Sequence, residues 1–424
     1  MTAACQTLPY AHGLPKIVAV EDGSAQRRAL NADIYDRTVR TILDRFYDPT
    51  FHNIDFAAEA AARRSAAVDQ PTERDFYLSL NDLLGLLDDS HTAAIRPQPY
   101  PEIIRTLGSG ELSFGIELVT SKDENGKPRR PYVRRVRPDG PAARLGVQLG
   151  WQLMSVDGAE GFHIANGGVG RSHTIEFRDR NGEVHVVTMP TTVLPFEPGY
   201  VERRADGTVV IAFESFSRTT ADWLEKRLAE LQADPPTAVV IDLRYNPGGT
   251  SDAVADVLGG FFTERFRFAH HEQRLRDRLE MGFWGILPSN HTRPSRNVWA
   301  GPVAVLQSSM TASSSEIFSA AMKHCGRAVI VGETSSGAVI GSVFFRLPDG
   351  GVLQVGISDF RTPSGARLEK LGVEPDIPVV GGLQDLETGG QVLLDAAAQA
   401  ALAAPAGAVC RPTASEALAS DPPA

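Results

Sequence analysis

Ala238-Val239-Val240-Ile241-Asp242-Leu243 is an almost unbroken apolar run, and it leads directly into Asn246-Pro247-Gly248-Gly249. A strand that is apolar on both faces needs cover on both, as in the middle of a parallel sheet with helices above and below. The neighbouring segments agree. Thr208 to Phe213, Val303 to Leu306 and Ala328 to Val331 read as strands. Between them, Trp223, Leu224, Arg227, Leu228 and Leu231 mark one helical face, and Val254, Val257, Leu258 and Phe261 mark another. Glu316 to His324 reads as a third helix. Strands alternating with helices specify βαβ units and an α/β core, here placed over residues 198–390.

With 424 residues the chain is too long for one such core. Residues 28–105 read as helical. Tyr35, Val39, Ile42/Leu43 and Phe46 share one face, and Phe76, Leu80, Leu83/Leu84 and Leu87 share another. The second helix runs into Asp88-Asp89-Ser90-His91-Thr92, whose short polar side chains favour a loop, so His91 is expected just past a helix end. Residues 106–192 are β-rich. Leu112 to Leu118, Tyr132 to Val136 and Leu153 to Val156 read as strands, Gly140 to Gly146 as a short helix, and Ile175–Arg178 with Val184–Val187 as a hairpin. Residues 263–300 interrupt the alternation with a charged segment and Gly282-Phe283-Trp284, read as a lid or hairpin. Residues 1–27 read as irregular, and 391–424 as a C-terminal helix with a disordered Ala/Pro/Ser-rich tail from 404.

A net charge of -10 with no basic stripe argues against nucleic-acid partners. No apolar run approaches the ~20 residues of a membrane span. No charged-then-apolar signal pattern opens the chain, so the expected compartment is the cytoplasm, or the periplasm if an export signal was trimmed. Three cysteines (Cys5, Cys325, Cys410) are too few for a disulfide framework or a zinc site. Cys325 reads as a packed residue at a helix end, and a Cys5–Cys410 bridge between two loose termini has nothing to support it. His270-His271-Glu272 lacks zinc-motif spacing, and neither this pair nor His324 is assigned a role. No metal or other cofactor is expected.

Thr311-Ala312-Ser313-Ser314-Ser315-Glu316 lies between a buried strand and a helix. A serine there projects its hydroxyl beside the free N–H groups and positive end of the helix, which stabilise an oxyanion. The same stretch also has the composition of a plain helix N-cap. Gly248 and Gly249 permit close backbone approach to a ligand, but a tight turn needs them equally.

Taken in order, Asn246-Pro247-Gly248-Gly249, the Ala312-to-Glu316 stretch, Gly326-Arg327-Ala328-Val329, Val331-Gly332-Glu333-Thr334, Thr362-Pro363-Ser364-Gly365 and Gly372-Val373-Glu374-Pro375-Asp376 resemble the carboxyl-terminal processing (tail-specific) peptidases. The resemblance covers about residues 35–385. It implies a multidomain protein with a helical N-terminal segment, a PDZ-like domain over 106–192 and a ClpP/crotonase-like α/β catalytic core. It also implies Ser313 as nucleophile and an oxyanion hole from N–H groups among Gly248, Gly249 and Ser314, the donating glycine left open. Phe114-Gly115-Ile116 is the expected carboxylate-binding loop of the PDZ-like module, where a peptide would add as a strand.

One departure matters. Most of the family uses a Ser–Lys dyad, yet Ala338 stands in the lysine's place and Ser342 in that of its supporting glutamine. Alanine cannot take a proton. A tricorn-core-like branch of the family uses histidine instead, following a serine at the end of an N-terminal helix, with a distant glutamate. Ser90-His91 and Glu369 match that pattern, implying His91 as base, with Glu369 acting directly or through Ser90. The expectation is a serine endopeptidase acting on unfolded or tail-exposed polypeptides. Its rivals are an inactive binding protein on the same fold, a class that includes a retinoid carrier, and a small-molecule esterase or amidase. Assembly into a homo-oligomer is left open.

Overall fold

A computed structural model of the chain describes residues 18–97, 110–120, 129–159, 170–274, 289–379, 381, 385–386 and 391–410. Cys5, the Gly282-Phe283-Trp284 cluster and the tail beyond residue 410 lie outside this set.

Three helices open the fold: α1 (Ala25–Arg45), α2 (Phe56–Val68) and α3 (Glu73–Leu84). Each starts at a polar residue whose side chain accepts a first-turn N–H: Ser24 from Arg27, Asp55 from Ala58, Thr72 from Asp75. The expected stripe on α1 holds for Tyr35 and Ile42, but Leu43 turns outward and is 37% exposed. After α3 one 3₁₀ turn (Gly85–Leu87) leads to Asp88, whose left-handed φ of 46° ends the helical path. The polar loop that follows enters strand β1 (Ala93–Ile95).

The middle of the chain supplies β2 (Gly110–Ser113), β3 (Ile116–Val119), β4 (Tyr132–Val136), the short helix α4 (Pro141–Arg144), β5 (Gln152–Val156), β6 (Ser172–Arg178), β7 (Val184–Pro190) and β8 (Thr192–Pro195). An antiparallel sheet runs β3-β4-β5-β6-β7, around a core including Phe114, Val133, Trp151, Ile175 and Phe177. The strand expected over 112–118 is in fact two. The chain turns at Gly115 (φ 78°), where a Cβ would sit 2.6 Å from the Gly140 Cα, and β2 pairs with β8 instead.

The remaining elements are β9 (Gly199–Arg203), β10 (Thr208–Phe213), α5 (Arg218–Ala233), β11 (Ala238–Asp242), α6 (Ser251–Gly259), β12 (His270–Gln273), β13 (Val303–Gln307), α7 (Ser314–His324), β14 (Val329–Gly332), β15 (Gly341–Arg346), β16 (Val352–Arg361), β17 (Ile377–Pro378) and α8 (Val392–Ala403). The central sheet has the order β17-β14-β13-β11-β10-β9, parallel except for β9. All five residues of β11 are buried. Val239 and Ile241 pack with residues of α5, α6 and α7, while Ala238 and Val240 pack with α8. This two-sided cover is why the segment is apolar throughout.

A second sheet is centred on the ten-residue β16, which pairs with β1, β12 and β15. The N-terminal helices pack on Leu353, Val355 and Ile357 of this strand, so they share a core with it. That packing brings the loop after α3 against the α/β core.

Cys325, expected to be a packed thiol, is disulfide-bonded to Cys410, with Cα atoms 4.5 Å apart. The stretch 404–410, expected to be disordered, is tied down: Gly407 N–H donates to the Ala300 carbonyl and Thr263 N–H to that of Ala408. No described helix is long and apolar enough to cross a membrane.

Candidate active site

Ser313 is the N-cap residue of α7, with φ 55° and ψ −122°. Such a backbone costs a non-glycine residue about 1–3 kcal/mol and persists only where its surroundings hold it. Ser313 N–H donates to the Ala338 carbonyl (2.8 Å) and to Glu316 Oε2 (2.9 Å). Glu316 is fully buried. Its Oε1 also accepts from Ser335 Oγ (2.6 Å) and Gly337 N–H (2.7 Å), and its Oε2 from Ala338 N–H (2.9 Å). Burial pushes the Glu316 pKa up, and these donors pull it back. The signal in the sequence is Ser313-x-x-Glu316, the capping-box pattern of a helix start.

The glycine pair lies directly behind the serine. Gly248 has φ 102°, and a Cβ on it would sit 2.6 Å from Ser313 Cβ and 2.8 Å from the Ser314 nitrogen. Asn246, fully buried, holds the two turns together. Its Nδ2 donates to the Phe213 carbonyl (2.8 Å), and its Oδ1 accepts from Gly248 N–H (2.9 Å) and Ser315 Oγ (2.9 Å). Ser314 Oγ donates to the Gly249 carbonyl (3.0 Å). The N–H of Gly248 is therefore committed to Asn246. Those of Gly249 and Ser314 enter no hydrogen bond among the described residues.

Ser90, His91 and Glu369 come together from positions 279 and 278 residues apart. Glu369 is buried; its Oε1 accepts from Ser90 N–H (3.0 Å), and its Oε2 from Ser90 Oγ (3.0 Å) and Val339 N–H (2.8 Å). Ser90 Oγ lies 2.6 Å from His91 Nδ1. With the serine proton given to the carboxylate, its lone pair accepts from Nδ1–H, which leaves Nε2 as the basic nitrogen. The half-buried His91 has its pKa held below the ordinary histidine value by desolvation, partly opposed by the Asp89 charge. No hydrogen bond joins its ring to Ser313 among the described residues. The two groups are linked through adjacent residues: Ala338 takes the Ser313 N–H, and Val339 gives its own to Glu369. Lys370 turns its ammonium to Asp88 (2.9 Å), and Ser342 Oγ accepts from Gln354 (2.8 Å).

Phe114 and Gly115 lead into β3, whose first residue is Ile116, and Phe114 and Ile116 pack in the core of the β3–β7 sheet. Phe114 and Ile116 are buried. Gly115 N–H donates to Ser113 Oγ (2.9 Å) and its carbonyl accepts from Arg137 N–H (2.8 Å), while β3 is an edge of its sheet.

Residues 207–379 match the model of peptidase family S41. A carboxyl-terminal-processing protease of Picosynechococcus sp. is 26% identical over 321 residues, covering 72% of this chain and 73% of its own. The chloroplastic carboxyl-terminal-processing peptidase 3 of Arabidopsis thaliana is 25% identical over 372 residues, covering 81% of this chain and 68% of its own. Among solved structures, a photosystem II D1 C-terminal processing protease has the same fold, with a TM-score of 0.53 at 19% identity over 82% of this chain and 92% of that one. The tricorn protease does too, with a TM-score of 0.55 at 15% identity over 89% of this chain and 37% of that one. The chain is thus a serine-type peptidase of α/β fold whose residues 207–379 match peptidase family S41 and which is similar to the carboxyl-terminal-processing proteases.

Proposed function

We propose that this peptidase cleaves internal peptide bonds of unfolded or tail-exposed polypeptides through an acyl-enzyme on Ser313, with His91 as general base. Residues 106–192 act as a PDZ-like module that receives an extended peptide at β3, and 198–390 form the catalytic core, with His91 contributed by 28–105. Ser313 Oγ attacks the scissile carbonyl carbon while its proton passes to His91 Nε2. The tetrahedral oxyanion is received by the N–H groups of Gly249 and Ser314, the two left uncommitted at the turn. Collapse breaks the C–N bond, and the amine leaves with the proton from Nε2. A water then repeats the sequence and frees Ser313.

The observation that carries this reading is the chain Glu369–Ser90–His91, with 3.0 and 2.6 Å steps, in a protein whose family lysine is replaced by Ala338. Its buried carboxylate fixes the tautomer and favours the imidazolium formed during attack. The substrate class follows the names of the relatives, which are carboxyl-terminal-processing enzymes.

The test is turnover of casein, a loosely folded protein, together with labelling by a serine-directed phosphonate. Ser313→Ala and His91→Ala should each abolish turnover, and the label should map to Ser313. Full activity in His91→Ala, or labelling at another serine, refutes the mechanism.

A further inference from the structure

Resting on the reading of His91 as base, we infer that Asp89 is a positioning residue that fixes the backbone of His91 and places a carboxylate charge beside it. The loop between α3 and β1 contains two kinds of restraint. Ser90 restrains the ring of His91 through Nδ1. Nothing in that contact holds the backbone from which the ring projects. Asp89 does so: its Oδ1 accepts the N–H of His91 (2.7 Å) and of Thr92 (2.6 Å), and its Oδ2 accepts Thr92 Oγ1 (2.6 Å). Thr92 Oγ1 in turn accepts the Gly356 N–H (3.0 Å) of β16. The peptide units around the histidine are thus pinned through one carboxylate to the second sheet. Gly356 is also closely packed there, since a Cβ on it would lie 3.1 Å from Asp89 Oδ2 and 3.3 Å from Thr92 Oγ1.

The charges around this loop are few and mostly engaged elsewhere. Glu369 reaches His91 only through Ser90. Asp88 is paired with Lys370 on the surface. Arg367 is paired with Asp359 and reaches the Tyr47 hydroxyl, which contacts His52. Asp89 is the charge bearing directly on the imidazole, and it favours the protonated form that desolvation disfavours. Burial raises the Asp89 pKa, while its three hydrogen bonds lower it. A base that is desolvated for access to the nucleophile still has to accept a proton, and an adjacent carboxylate assists that transfer.

Two variants separate geometry from charge. In Asp89→Asn the amide oxygen can keep both N–H bonds, and its NH₂ can donate to Thr92 Oγ1, so the backbone stays pinned while the charge is lost. Asp89→Ala loses both. The measurements are the pH profile of kcat/KM on casein and the NMR titration of the His91 ring, which needs no turnover. Asp89→Asn should move both the acid limb and the ring titration to lower pH, and should retain activity above the limb. Asp89→Ala should lose about 100-fold in kcat/KM, the scale of a 1 Å misplacement. The inference is overturned if the Asp89→Asn ring titration matches wild type, or if Asp89→Ala remains within threefold of wild type. His91→Ala distinguishes the two levels. If it retains activity, the base assignment falls and this inference with it. If it is inactive while both Asp89 variants behave as wild type, only the role of Asp89 falls.

Discussion

Glu316 receives four donors on two oxygens, and Glu316→Gln asks how much of the nucleophile turn depends on them. An amide offers one oxygen and one NH₂ group. If its nitrogen takes the place of Oε2, both Ser313 N–H and Ala338 N–H face a donor. If it takes the place of Oε1, the donors affected are Ser335 Oγ and Gly337 N–H. A hydroxyl can rotate to accept, so Ser335 adapts and only Gly337 N–H is orphaned. Ser313 N–H keeps the Ala338 carbonyl in either case, so each orientation orphans one backbone donor at about 1–3 kcal/mol, but only the second gives the amide NH₂ an acceptor, the Ser335 hydroxyl. The side chain therefore adopts the second, and the amide oxygen continues to hold Ser313. The expected result is selective. Native-state hydrogen exchange at Gly337 should quicken by roughly 10- to 100-fold, the equivalent of ~1.4–2.8 kcal/mol, while kcat stays within about tenfold of wild type. Glu316→Ala removes the shared acceptor of all four donors, leaving Ser313 N–H only the Ala338 carbonyl, and should lose phosphonate labelling. The reasoning fails if Glu316→Gln leaves Gly337 exchange unchanged, or if a folded Glu316→Gln protein is inactive, since the carboxylate charge would then be what matters.

Gly248→Ala places a methyl 2.6 Å from Ser313 Cβ, and the displacement should lower kcat by about 100-fold with a far smaller change in Tm; an unchanged kcat refutes the tight apposition. The Cys325–Cys410 bridge spans 85 residues, for which loop closure gives at most about 4–5 kcal/mol. Cys410→Ser and reduced wild type should share one lowered Tm, and an unshifted Tm on reduction argues against the bridge. Burial lowers the His271 pKa to about 4. Between that value and the unfolded value of about 6.5 the unfolded chain binds more protons, so this stability is present above about pH 6.5 and is lost as pH falls. His271→Gln should flatten the slope of Tm against pH in that window. The lowered His91 pKa predicts an acid limb of kcat/KM below the ordinary histidine value, and a limb above it contradicts the assigned environment.

The sequence disclosed what is local or repeated. The buried run at β11, the helical faces of α5 and α6, the β6–β7 hairpin and the position of His91 past a helix end all follow from periodicity and turn residues close in the chain. What escaped depends on contacts between distant residues. The break between β2 and β3 exists because Gly115 meets Gly140, which no pattern across 112–118 encodes. α2 shows only a weak apolar stripe, being mostly alanine, so its packing on α1 and α3 defines it more than its periodicity. Cys325 and Cys410 are neighbours only because the chain after α8 returns to the end of α7. At the site, Ser313, Ser90, His91 and Glu369 could be named from motif order, but Asn246, Asp89 and the four-donor role of Glu316 are properties of how the loops meet.

That distinction bears on the alanine at 338. The side chain there cannot act as a base, yet the backbone at the same position still clamps Ser313, donating its N–H to Glu316 and accepting the Ser313 N–H at its carbonyl. The two tasks of this loop, holding the nucleophile and deprotonating it, are therefore separable, and in the proposed mechanism only the second has moved. It has moved to a loop carried by helices whose core is shared with β16. Glu369 touches both sides, taking the Val339 N–H and the Ser90 hydroxyl. A peptidase built this way has an assembled site only while the N-terminal helices are docked. Loosening Leu80 or Ile357, both buried in that shared core, should then depress turnover without touching any reacting group, whereas a lysine at 338 would have kept the base within the core itself.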